Sequence, residues 1–226
     1  MSWTEPRVGH SVEDVLTSIL AGLGLGLSLI MAIGAQNLFV LRQGLRREHV
    51  FVVAAICAVS DATLIVLGVS GVGLVLQAVP WLVDVVRWAG AVFLVAYGLL
   101  AAKRAWRPSG EAFVAAETER RDGPGTITTR TRLAPVVLTT LALTWLNPHV
   151  YLDTVFLLGS IASTHGDGRW WFAFGAVLAS IVWFFGLAYG ARFLGRWLST
   201  PRAWRVVDAV IAVVMIALGI SLVLPR

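Results

Sequence analysis

Six apolar segments divide this sequence, and each is long enough to cross a lipid bilayer as a helix. About 20 apolar residues, at about 1.5 Å per residue, span a hydrocarbon core about 30 Å thick. The chain is 58% hydrophobic and only 14% charged, whereas a soluble domain is usually about 25% charged. Alternation with a period of two is absent, which disfavours a β-barrel. We therefore predict an all-α membrane protein with six transmembrane helices. The predicted spans are 15–41, 50–76, 81–102, 134–161, 170–191 and 206–224.

One transmembrane transporter domain is predicted over residues 1–226. Residues 1–102 form a first three-helix half, 103–133 a cytoplasmic loop and 134–226 a second three-helix half. The first apolar segment exceeds the core of a signal peptide and lacks a basic leader and a small-residue cleavage site. We expect it to be retained as a span.

Lysine and arginine are distributed unequally between the two sides of the predicted membrane domain. Fourteen of the eighteen fall in the connections 42–49, 103–133 and 192–205, which all lie on one side. Basic residues accumulate in cytoplasmic loops, so we expect both termini outside the cytoplasm. This topology explains the net charge of +5, and it predicts membrane lipids rather than nucleic acid as the surroundings.

The two halves are weakly similar in sequence. Residues 90–100 align with 211–221, 60–71 with 180–191, and 35–41 with 146–152. Because three spans separate the copies, the second copy is inverted in the membrane. Inverted three-helix repeats of this kind build many secondary transporters.

Asp61 and Asp153 lie deep inside apolar spans, 11 residues after the start of the second span and 8 residues before the end of the fourth. An aspartate at the centre of a membrane helix costs about 2.5–3.5 kcal/mol on insertion scales. Acids kept there usually face a cavity or a pathway, so both predict a site for a cation or a proton. The alternative is that one acid simply pairs with a buried amide or histidine.

Pro148 follows Asn147 in the middle of the fourth predicted span. Proline removes one backbone donor and disrupts the preceding turn, which frees the carbonyl of Thr144 and starts a second half-helix. Broken helices at mid-depth often form ligand sites in transporters. A kink without ligand contact remains the alternative, and His149 is read either as a proton relay or as a packed residue.

Gln36 and Asn37 place two amides at the end of the first predicted span. They are expected either to bind the carboxylate or ammonium of an amino acid or to cap the helix. No cofactor is predicted: no cluster of Cys, His and acids has metal-ligand spacing, and the glycines of the first span lack the strand–helix setting of a dinucleotide site.

Three strings carry a family resemblance: IGAQNLFVLRQGLRREHV at 33–50, CAVSDATLIVLGVSGVG at 57–73 and TWLNPHVYLDTVFLLGSIA at 144–162. Together they closely resemble the basic amino-acid exporters of the LysE/ArgO type, over nearly the whole chain. The related exporters of neutral amino acids carry Pro-Gly-Pro-Asn where this chain has residues 34–37 as Gly-Ala-Gln-Asn. That difference favours the lysine/arginine branch.

The resemblance implies a multi-pass protein of the bacterial inner membrane that exports L-lysine and L-arginine by exchange with protons. It places Asp61 and Asp153 within the motifs of the family. An exporter of neutral amino acids or of another small cation is the alternative on the same fold. An intramembrane aspartyl protease is disfavoured because neither acid lies in a Gly-x-Gly-Asp string. The sequence does not decide between a monomer and a homo-oligomer.

Overall fold

The computed structural model describes residues 11–32, 34–71, 80–106, 132–194 and 200–224. Helices dominate these residues, and no strand occurs among them. We number the helices α1 Val12–Ile30, α2 Ala35–Arg46, α3 Val50–Val69, α4 Pro80–Trp106, α5 Leu133–Trp145, α6 Pro148–Ser163, α7 Arg169–Leu194 and α8 Pro201–Val223. Five helices are individually long and apolar enough to cross a membrane, and α5 with α6 forms a sixth span as a bent pair. The predicted all-α membrane fold is confirmed.

Some predicted segments fall partly outside the described residues. These are the greater part of the predicted loop 103–133, the end of the predicted span 50–76 and the first ten residues.

The predicted first span, 15–41, is wrong at its centre and at its end. Helix α1 stops at Ile30, and α2 begins at Ala35 and continues to Arg46. Because the residues on both sides of this break are mostly apolar, hydropathy does not reveal it. The predicted connection 42–49 is also shorter than expected, since Arg42 is a buried residue of α2. The chain reverses over residues 47–49, where Arg47 and His49 adopt left-handed backbone angles.

Helices α1 and α2 continue in the same direction along one neighbour, α7. A Cβ atom on Gly22 would overlap the carbonyl of Phe172, and one on Gly26 would lie 3.1 Å from the Cα of Ala176. Gly44 of α2 makes the equivalent close approach to Ala188. The residue of α7 that is contacted moves towards its C-terminus as the glycine moves from α1 to α2. Helices α1 and α2 therefore form one broken span parallel to α7.

Helices α4 and α8, the third spans of the two predicted halves, pack against each other through equivalent residues. A Cβ on Gly98 would contact the carbonyl oxygen of Ala212 and the Ile216 side chain; one on Gly219 would contact the carbonyl oxygen of Ala91 and the Val95 side chain. The alignment of 90–100 with 211–221 makes these two sets of contacts equivalent. The contacts run in opposite order along the two helices, so α4 and α8 are antiparallel. Equivalent contacts and antiparallel helices are both expected of an inverted repeat.

The predicted fourth span is broken at the position of its proline. Helices α5 and α6 meet at an angle of 54°, and Pro148 is the first residue of α6. Residues Tyr151–Leu157 of α6 form a π-helical segment, a geometry that is frequent at functional sites. Each half therefore begins with a broken helix, α1–α2 in the first and α5–α6 in the second.

Candidate functional site

The two helix breaks face a common cavity of about 310 Å³. This volume lies at the lower end of the range of small-molecule sites, about 300–1,000 Å³. Apolar lining includes Ile30, Phe184 and Leu218. The polar side chains that line it are Gln36, Asn37, Asp61, Asn147, His149, Asp153 and Thr154.

Asp61 reaches the cavity from α3. It lies 11 residues after Val50, or about 17 Å along a helix, and only 5% of its surface is exposed. The hydroxyl of Ser180, on α7, donates a hydrogen bond of 3.0 Å to Oδ2 of Asp61. Ser180 is itself completely buried. The carboxyl group is thus held between α3 and α7, near the middle of both helices.

Asp153 reaches the same cavity from the π-helical segment of α6 and is half-buried. A π-helical segment contains more residues per turn than an α-helix, so it changes the directions in which side chains point. The two predicted acids, 92 positions apart in the sequence, are thereby brought to one site.

The first break is closed by the side chain of Asn37. Its Nδ2 donates to the carbonyl oxygens of Ile30 and Ala32, both at 2.8 Å, and its Oδ1 accepts from Nε1 of Trp183 at 3.2 Å. Both amide hydrogens are used, which favours the capping alternative for this side chain. Gln36 is buried and lines the cavity, beside the thiol of Cys57.

The start of α2 adds a further feature to the cavity. Gly34 occupies the N-cap position, and no side chain caps the helix there. The first N–H groups of a helix have no partner within that helix, and its N-terminal end carries a partial positive charge. An anionic group can therefore bind at this point.

The second break is held differently. Asn147 is the N-cap of α6, and its Oδ1 accepts from the backbone N–H of His149 at 3.1 Å. The Tyr151 hydroxyl donates to the carbonyl oxygen of Trp145 at 2.8 Å. Thr144 is completely buried, its hydroxyl donates to the carbonyl oxygen of Thr140, and it does not line the cavity. Pro148 is buried and likewise does not line the cavity.

Of the seven predicted site residues, five line the cavity and two, Thr144 and Pro148, do not. Sequence reasoning missed Ser180 and Trp183 as partners of Asp61 and Asn37. The only sequence signal for Ser180 was the alignment of residues 60–71 with 180–191, which places it opposite Ser60. A serine inside an apolar span is too common to indicate a partner in a distant helix.

Six spans around a polar cavity at mid-depth, with two broken helices facing it, define a membrane transporter. Comparisons with known proteins specify the kind of transporter. A family model described as LysE type translocator matches residues 27–226. The chain belongs to this family, and the resemblance of its three strings is confirmed.

Several named relatives align over most of the chain. The lysine exporter LysE of Corynebacterium efficiens is 40% identical, covering 91% of this chain and 97% of its own. The arginine exporter protein ArgO of Yersinia enterocolitica is 42% identical, covering 89% and 93%. A Mycobacterium tuberculosis protein whose name proposes an amino-acid transporter is 47% identical, covering 86% and 90%. No solved structure matches the chain.

Proposed function

We propose that this protein exports the basic amino acids L-lysine and L-arginine from the cytoplasm in exchange for protons. The observation that carries the proposal is the charge of the cavity. Asp61 and Asp153 both line it, and no lysine or arginine is among its described lining residues. Such a site favours a cation over a neutral or anionic ligand. The names of the lysine and arginine exporters among the relatives support the same substrates.

A basic amino acid carries two cationic groups and one carboxylate, and the cavity offers partners for each. The two aspartates would bind the α-ammonium and the side-chain cation. The uncapped N-terminal end of α2, with Gln36 beside it, would bind the carboxylate. Asn147 would hold the opposite break in place. Asn37 would contribute through the geometry of α2, because its side chain is already hydrogen bonded.

Exchange with a proton removes an electrical obstacle to export. Moving one positive charge outward against an inside-negative membrane potential costs about 2.3 kcal/mol per 100 mV. Because one incoming proton carries the same charge, a one-for-one exchange cancels this cost. The chemical gradient of protons would then drive export. Burial favours the neutral form of a carboxyl group, so an aspartate that has released its cation is a suitable proton carrier.

Transport into inside-out bacterial vesicles tests the proposal. Substrate would be supplied on the exposed cytoplasmic face, and the vesicle lumen would be made acidic. We expect uptake of labelled lysine and arginine that rises with the pH gradient and falls when the gradient is dissipated. Uptake that ignores the gradient would contradict the antiport.

The alternative substrates are distinguished in the same vesicles. Counterflow of labelled lysine, but not of threonine, supports a basic amino acid; preference for threonine would overturn the choice of substrate. The proposed location is the inner membrane with both termini outside the cytoplasm. A C-terminal fusion to alkaline phosphatase, which is active only outside the cytoplasm, checks that orientation.

A further inference from the structure

A second polar cluster lies away from the cavity, near the start of α8 and the end of α2. Nη2 of Arg42 lies 3.1 Å from Oδ1 of Asp208, and Nη1 of Arg42 donates to the Tyr97 hydroxyl at 3.2 Å. Nε of Arg104 lies 3.6 Å from the same oxygen of Asp208. Its guanidinium group also lies over the Tyr97 ring, 5.6 Å from the centroid. We call these four residues the ionic cluster.

The ionic cluster connects the two halves of the repeat. Arg42, Tyr97 and Arg104 belong to the first half, whereas Asp208 belongs to the second. The Arg42 and Asp208 side chains are only 6% and 11% exposed. Buried ion pairs contribute little net stability, and their best-attested role is to specify one arrangement of the elements they join.

An apolar layer separates the ionic cluster from the cavity. It consists of Phe39 and Val40 from α2 with Ile211 and Met215 from α8, and none is more than 4% exposed. On α8, the cavity begins beyond this layer, at Leu218. The layer and the ionic cluster together close the cavity on the side opposite the termini.

The side of the termini is built differently. The cavity is lined there by Leu94 and Leu222, and by the half-buried Asp153 and His149. The ion pair described nearest to this end, between Asp84 and Arg87, lies within α4 alone. Its side chains are 63% and 42% exposed, and the two charges are 3.8 Å apart. It does not connect the two halves.

We propose that Arg42, Asp208 and Arg104 form the gate of the transporter on the side opposite the termini. The structure is the state in which this gate is closed and the cavity faces the side of the termini. Breaking the ionic cluster lets α2 and α8 separate and opens the site to the other side. This inference rests on the proposed transport function, and under the proposed orientation the gate is cytoplasmic.

The protein carries its own reporter for the gate. Cys57 is the single cysteine, is completely buried, and lies on α3 four residues before Asp61, towards the gate. Its modification by a membrane-impermeant maleimide therefore measures access from either side. Asp208→Asn should increase the labelling rate about tenfold or more in inside-out vesicles, because it leaves Arg42 and Arg104 without their carboxylate. Labelling in right-side-out vesicles should stay unchanged.

Asp84→Asn is the matched control, since it makes the same change in an exposed ion pair within one helix. It should leave labelling unchanged from both sides. An unchanged rate for Asp208→Asn, or an equal increase from both sides, would overturn the gate. Because this assay needs no substrate, its failure leaves the proposed function intact. Failure of lysine and arginine transport by the unaltered protein would instead refute that function.

A second variant covers the case in which Asp208→Asn fails to fold. Arg104→Gln removes the more exposed partner of Asp208, whose side chain is 29% exposed, and leaves the pair of Arg42 with Asp208 in place. We expect it to fold and to increase Cys57 labelling about threefold in inside-out vesicles only, because it removes one of the two cations that hold Asp208. Labelling at the rate of the unaltered protein would contradict the gate.

Discussion

The Ser180 hydroxyl and the Asp61 carboxyl group meet at mid-depth through a hydrogen bond of 3.0 Å. The bond joins α7 to α3, which are the second spans of the two predicted halves. A charged group withdrawn from water is costly unless hydrogen bonds replace its hydration. Ser180 thus stabilises the ionised form of Asp61 in the position where a cation can bind.

Replacing Ser180 should weaken substrate binding without preventing folding. Hydrogen bonds to charged groups contribute about 1.5–3 kcal/mol, so we expect Ser180→Ala to raise the KM for lysine about tenfold. Ser60→Ala is the control: its hydroxyl accepts from Nε1 of Trp145 rather than contacting Asp61. That variant should keep its KM within about twofold and lose about 1 kcal/mol of stability. Equal KM values for both variants would contradict the role of Ser180.

Neutralising either cavity acid should abolish export but not membrane insertion. Each aspartate is proposed to pair with a cation of the bound substrate, and removing one member of such a pair costs about 2–5 kcal/mol. We therefore expect Asp61→Asn or Asp153→Asn to reduce the initial rate of export roughly a hundredfold. Export would be followed in cells loaded with a lysine-containing dipeptide, and insertion by the amount of protein in the membrane fraction. Asp84→Asn, which changes an exposed acid, should export normally. Full efflux by both cavity variants would refute the assignment of the site.

The break between α5 and α6 should depend on Pro148. Alanine restores a backbone donor and removes the clash with the preceding turn, which allows the helix to straighten and displaces Asn147 and Asp153. We expect Pro148→Ala to slow transport at least about fivefold while thermal stability is kept, since alanine is the best helix former. Pro135→Ala is the control, because Pro135 lies in the first turn of α5, where no intrahelical donor is lost. Unaltered transport by Pro148→Ala would show that the break forms without the proline.

Two glycines of α1 should respond oppositely to the same substitution. A Cβ on Gly22 would overlap the carbonyl of Phe172, whereas one on Gly24 would meet nothing within 4 Å. We expect Gly22→Ala to destabilise the protein by about 1–3 kcal/mol through overpacking. Gly24→Ala should be neutral or stabilising by up to about 1 kcal/mol. Thermal unfolding of the purified proteins in detergent checks both, and equal Tm values would contradict the close packing of α1 on α7.

Hydropathy was sufficient to predict the number of spans but not the continuity of the first one. The break at Pro148 could be predicted because proline removes a specific hydrogen bond. The break after Ile30 could not, since its local residues are compatible with a helix. It persists because Asn37 and Trp183 satisfy the groups that the break leaves open.

Asp208 illustrates a second limit of prediction. It lies two residues inside the predicted sixth span, where an acid is normally solvated near the membrane surface. The tertiary structure buries it against Arg42 and Arg104, and these three residues are far apart in the sequence. Charges near a span end do not reveal which of them pair across the bundle.

The sequence by itself predicted a membrane protein of six helices with two acids deep inside apolar spans. These follow from the cost of placing charged or unpaired polar groups in hydrocarbon, which depends on the local residues alone. Only the tertiary structure decided that both acids share one cavity and that α1 ends at Ile30, inside the predicted first span. It also decided that a buried ionic cluster closes one side of that cavity. Those features depend on contacts between helices, and neither hydropathy nor residue spacing specifies which helices meet.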